Sequence, residues 1–218
     1  MKNSIIKKQL QILLAVLAIA IGLYPLLFLA LGMHFDLLDS KSKEILASTF
    51  WNIAFYMHIS FGGIALLIGW TGFMKNLRSR NIKVHRIIGK IYVISALLSA
   101  VAGIYIGFFS NGGLIASTGF ISMGIIWFYT TGKAYLFIRV KNILAHEEMM
   151  LYSYAICFAG VTFRIWIPFL SFLFEDSDMV YKIVAWWCWI PNLYVAYILN
   201  RKKEKILELK ILNKLQKI

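Results

Sequence analysis

Acidic side chains are scarce in this 218-residue chain, where ten Asp and Glu stand against 23 Lys and Arg. None of the ten falls inside the long apolar runs that dominate the sequence. Proton- and cation-coupled carriers commonly place Asp or Glu within the membrane, so active transport of that kind is disfavoured. The only two cysteines, Cys157 and Cys188, sit within apolar runs without metal-type spacing and read as buried thiols. Three prolines and no Gly/Ser-rich linker leave one domain over residues 1–200. Hydrolase chemistry lacks its usual signatures: there is no nucleophile elbow, no metalloprotease His-Glu motif and no carboxylate pair.

What is present is hydrocarbon. Hydrophobic residues make up 60% of the chain and charged residues only 15%, with a mean hydropathy of +0.72. A soluble domain is about 45–50% apolar and about 25% charged, so the excess apolar surface must face lipid. Six stretches reach the roughly 20 residues that a helical span needs: 10–32, 49–74, 87–109, 114–138, 149–172 and 179–200. Helices are required, because an open sheet would leave backbone groups unpaired in hydrocarbon. The first stretch is longer than a signal-peptide core, lacks a small-x-small cleavage site and contains Tyr24 and Pro25, so it reads as a retained span. The expected fold is an all-α polytopic membrane protein.

The formal net charge of +13 has a pattern. Lys2, Lys7 and Lys8 precede the first span; Lys75, Arg78, Arg80, Lys83 and Arg86 crowd the second connection; Arg139 and Lys141 follow the fourth span. The alternate connections differ. Asp36, Asp39 and Glu44 offset Lys41 and Lys43, residues 110–113 are uncharged, and Glu175, Asp176 and Asp178 are acidic. The positive-inside rule therefore predicts both termini in the cytoplasm. Such clusters are membrane anchors and not a continuous nucleic-acid face, so nucleic acid is not an expected partner. The basic tail, 201–218, spaces Ile206, Leu209, Ile211, Leu212 and Leu215 among lysines, an amphipathic pattern suited to anionic lipid of the inner leaflet. A solvated end is the competing reading. The sequence specifies no protein partner.

Polar residues inside spans are costly and therefore informative. In the second span His58, Gly62, Ala65, Gly69 and Gly72 share one face, with His58 about 12 Å below the outer surface. Close helix packing and a ligand or proton-relay histidine both fit this stripe. Ser95, Ser99, Gly103 and Gly107 in the third span form a small-residue packing seam with no chemistry assigned. In the fifth span His146, Met150, Ser153, Cys157, Gly160 and Arg164 line one face. Arg164 either snorkels toward the acidic outer loop or turns inward to an anionic group, and its small polar face favours the inward direction. Lys133 reaches the inner interface by snorkelling. Trp186, Trp187 and Trp189, with Pro191 and Asn192 after them, lie past the start of the sixth span; an aromatic belt is one reading, and an outer-half cavity that some of them share with His58 and Arg164 is the other.

Several motifs recur in one order. They are His58–Ser60–Gly62–Gly63, Leu77–Arg78–Ser79–Arg80, His85–Arg86–Ile87–Ile88–Gly89–Lys90–Ile91–Tyr92, Trp127–Tyr129–Thr130–Thr131, His146–Glu147–Glu148–Met149–Met150, Ser153–Tyr154 and Thr162–Phe163–Arg164. From about Trp51 to Pro168 the chain resembles the bacterial predicted membrane protein family called domain of unknown function 2306. That resemblance implies a polytopic protein of the cell membrane, the plasma or inner membrane of a bacterium, with these histidines and this arginine as its marked positions. It implies no activity. This chain has Met149 where the family typically carries a tryptophan.

Two functional expectations follow. The first is a non-enzymatic membrane component, an assembly factor or a lipid- or ligand-binding protein, with candidate ligand-binding residues His58, Arg164, Trp187 and Asn192. The alternative is a redox protein holding a b-type haem or a quinone, with His85 and His146, both at cytoplasmic helix ends, as candidate iron ligands and Arg78, Arg86 and Arg139 at propionate level.

Overall fold

The computed structural model describes residues 2–31, 38 and 41–216. These are helical, and no strand occurs among the described residues. Helix α1 covers Lys2–Leu31, α2 Lys43–Ala47 and α3 Thr49–Gly69, the last extended by a 3₁₀ turn at Trp70–Phe73. A short α4, Lys75–Arg80, leads into α5, Ile82–Gly107, and α6 spans Gly113–Arg139. Helices α7 (Ile143–Cys157), α8 (Ala159–Leu173), α9 (Ser177–Trp187) and α10 (Ile190–Leu215) complete the bundle. Five stretches are long and apolar enough to cross a membrane: Thr49–Phe73, Ile82–Gly107, Gly113–Arg139, Ile143–Leu173 and Ser177–Asn213. A shorter apolar segment, Gln11–Leu26, lies within α1. His34, Asp36 and Asp39 of the first connection, and Lys217 of the tail, lie outside the described residues.

Side-chain caps mark where the helices begin. Ser48 accepts from the Trp51 N–H, Asn81 from Val84, Asn142 from Ala145, and Asp176 from Asp178 and Met179. Each satisfies a donor that a helix start leaves orphaned. Between α5 and α6 the chain reverses at Gly112 and Gly113, whose φ values of 84° and 63° suit a residue without a Cβ.

The centre is a run of neighbours in which α3 packs on α5, α5 on α6 and α6 on α7. Helix α1 leans on α3 and α8, α9 lies against α6 and α8, and α10 against α7. Small residues permit these approaches. A Cβ added at Gly69 would lie 2.5 Å from Tyr154 Cε2 and 2.8 Å from Tyr92 Cε2, and one at Gly124 would lie 2.6 Å from Ile104 Cγ1.

The last two spans depart from the continuous helices read from hydropathy. The fifth breaks at Phe158 and the sixth between Trp187 and Ile190. Pro191 accounts for the second break, since it has no N–H for the carbonyl four residues back. The breaks meet. Asn192 Nδ2 donates to Ala155 O at 3.2 Å, Thr162 Oγ1 at 3.1 Å and Cys188 O at 3.0 Å, and the Thr162 hydroxyl donates to Cys188 O. Irregular backbone at membrane depth is tolerated when buried protein groups satisfy it. The tail continues the last span: α10 runs without interruption from Ile190 to Leu215, with Ile206, Leu209, Ile211 and Leu212 exposed.

Candidate functional site

His58 sits mid-way along α3 against α5. Its Nδ1 lies 2.9 Å from Ser99 O. A carbonyl only accepts, so Nδ1 carries the proton and Nε2 is left with a lone pair. The Ser99 hydroxyl donates to His58 O at 2.9 Å and lies 3.2 Å from Nδ1, which fixes the ring further. Gly103 makes room for the imidazole, since a Cβ there would be 2.8 Å from His58 Nδ1. The small-residue seam of the third span thus orients a histidine, a role its spacing alone did not reveal. Depth could have exposed it, because His58 and Ser99 lie at similar distances from the same end of antiparallel spans.

Beside His58 lies a cavity of about 230 Å³ between α1, α3, α5, α6 and α8. Arg164 of α8 also lines it and is an electrostatic neighbour of His58. Arg164 therefore turns inward. Its guanidinium donates to Gly160 O, one turn back, at 2.9 Å, and lies 4.8 Å from the centre of the Tyr24 ring. A third polar group, Lys41, reaches the same cavity from the connection before α2 and donates to Phe109 O and to Asn111 Oδ1, the latter at 2.8 Å. Burial lowers the pKa of its ammonium below the ordinary lysine value. In the sequence Lys41 stands among loop charges of both signs. Among the described residues no acidic side chain lines the cavity and no carboxylate pairs with Arg164 or Lys41.

The rest of the wall is apolar. Trp51 and Phe55 stack with ring centres 5.1 Å apart and planes 9° apart, and Leu66, Trp127 and Ile156 form the deep end. The buried indole N–H groups of Trp51 and Trp127 meet no acceptor within the usual geometric limits among the described residues, and Trp127 has the Tyr92 hydroxyl as its polar neighbour.

The structure does not bring the remaining two candidates to this wall. Trp187 is 49% exposed and meets Trp166 edge-on, with ring centres 6.2 Å apart. Asn192 serves the joint between the broken spans.

His85 and His146 lie toward the opposite end of the bundle, away from the cavity. They are electrostatic neighbours of one another, together with Arg78, Arg86 and Glu147. His146 Nδ1 lies 2.8 Å from Ala134 O, which leaves its Nε2 as the acceptor, the orientation that a metal-ligating imidazole also uses. Among the described residues no group of three or more His, Cys, Asp or Glu is arranged to hold a metal ion. A haem with two axial imidazoles does not require such a group. Glu147 pairs with Arg78 and with Lys203, tying α4 and α10 to α7.

Residues 55–200 match the model of a family of predicted membrane proteins, domain of unknown function 2306. The chain belongs to this family. As a member it is a multi-pass membrane protein, and the matched segment contains His58, Arg164, His85 and His146 together. No curated protein and no solved structure matches the chain.

Proposed function

We propose that this family member is a non-enzymatic ligand-binding component of the cell membrane, a bacterial plasma or inner membrane, with both termini cytoplasmic and the cavity in the outer half. One observation carries the reading: His58 and Arg164, on separate helices, share a cavity with Lys41, and no carboxylate among the described residues answers the two cations. Buried charge in a membrane usually has a partner or a task. The lone pair on His58 Nε2 is an acceptor for a ligand hydroxyl or N–H, and the guanidinium is a donor for an oxygen-bearing group. An assembly factor that shields such a ligand would need the same geometry. The basic loop and tail suit anionic lipid of the inner leaflet.

Native mass spectrometry of the protein released from mild detergent tests this. The expected spectrum shows an adduct that disappears in the Arg164→Met variant; an adduct-free spectrum from membranes of the native host would count against it. For the haem alternative, His85 and His146 are mutual neighbours and His146 is suitably oriented. A Soret band from protein made with ample haem, lost in His146→Ala, would favour that reading instead.

A further inference from the structure

The cavity's lining also narrows the ligand's chemistry. This step rests on the ligand-binding reading above. Among the described residues the two cations on the wall, Lys41 and Arg164, hydrogen-bond to neutral oxygens: the carbonyls of Phe109 and Gly160 and the side chain of Asn111. Arg164 additionally faces an aromatic ring, which attracts a cation without neutralising it. Both side chains are half-buried, and a cation-bearing or purely apolar ligand seated over them would remove their remaining water without answering either charge, which is costly. An oxyanion supplies the missing negative charge. The deep end at Leu66, Trp127 and Ile156 offers no charge and asks for an apolar body.

Size sets a second limit. A cavity of about 150 Å³ encloses benzene, so one of 230 Å³ holds roughly ten non-hydrogen atoms. We infer that the cavity takes an oxyanion carried on a short apolar body, with the anion at Lys41 and Arg164 and the body over Leu66, Trp127 and Ile156. A free medium-chain acid and the first atoms of an anionic lipid share this chemistry.

The test uses the full chain in phosphatidylcholine nanodiscs and 8-bromooctanoate, whose bromine quenches nearby indoles such as Trp51 and Trp127. Saturable quenching is expected, weakened in Trp51→Phe. Octanoate should displace the probe, whereas octanol and octylammonium should need at least tenfold higher concentration. Arg164→Met and Lys41→Met should each weaken octanoate binding about tenfold and leave octanol unchanged, with Arg164→Lys recovering part of the loss and thermal unfolding confirming that each variant is folded. Phosphatidylglycerol in the disc should weaken octanoate if a lipid head group is the natural source and leave it unchanged if a free acid is; both results keep the oxyanion. Octanol or octylammonium competing as well as octanoate, or unaltered octanoate binding in folded Arg164→Met, overturns the anion assignment while leaving a ligand cavity. Absence of saturable quenching by any probe, bromooctanol included, overturns the cavity reading and this inference with it.

Discussion

The two halves of the bundle treat polar groups in opposite ways. Toward the end where α4 joins α3 to α5, polar side chains pair with one another. Tyr92 OH lies 2.8 Å from Ser153 Oγ, which lies 2.6 Å from Thr131 Oγ1, and all three residues are buried. At the interface below them Glu147 answers both Arg78 and Lys203. Toward the other end the helices part around a cavity, and among the described residues the two cations on its wall, Lys41 and Arg164, meet carbonyls, an amide and a ring. Protein interiors close up when nothing prevents it. The first half is what packing alone produces; the second has kept space and charge together, which packing does not reward.

Substitutions can break or sharpen that contrast. The largest effect is expected from Gly69→Leu in the packed half, where even a Cβ would meet Tyr154 at 2.5 Å. Overpacking of this kind costs about 1–3 kcal/mol or more, read as a lowered midpoint in denaturing-detergent titration. Gly160→Ala, beside the cavity with nothing within 4 Å of the added Cβ, should leave that midpoint unchanged. Equal effects at the two glycines would erase the distinction.

Next in size is Ser153→Ala, which removes the hydroxyl shared by Tyr92 and Thr131. Two membrane hydrogen bonds at about 0.6 kcal/mol each predict a loss near 1 kcal/mol. Arg164→Met should instead be neutral or slightly stabilising, because it removes a charge that no carboxylate answers among the described residues. Marked destabilisation would make the arginine a structural strut. A small loss is expected of Glu147→Gln. This carboxylate is 27% exposed and its ion pairs are interfacial, so the cost should stay below about 1 kcal/mol and shrink in high salt. Its clearer signature is faster proteolysis within the exposed tail.

The helical fold was legible wherever run length decides it, because about 20 apolar residues have one solution in lipid. The spans at Thr49–Phe73, Ile82–Gly107 and Gly113–Arg139 follow closely from hydropathy. The breaks at Phe158 and after Trp187 were not legible, since apolar character continues across them. Pro191 was the available sign for the second, yet prolines also sit inside the helices α1 and α8 as Pro25 and Pro168. At the site, the costly residues His58 and Arg164 stood out by type. Lys41 did not, because a lysine in a loop with carboxylates is ordinary, and only the fold shows it turned toward Phe109 and Asn111. Ser99 was hidden by its own usefulness as a small packing residue.

The seam where the two broken spans touch divides the work of the fifth one. Ser153, locked into the packed half, and Arg164, on the cavity wall, ride on different rigid pieces of it, separated at Phe158. A tilt of the upper piece would carry the guanidinium without disturbing the hydroxyl cluster, at the expense of the bonds made by Thr162 and Asn192 and of the packing of α8 against α1 and α9. Amide hydrogen exchange around Cys157–Gly160 that quickens in Asn192→Leu, while the Tyr92–Ser153 region keeps its protection, would be the trace of such a joint.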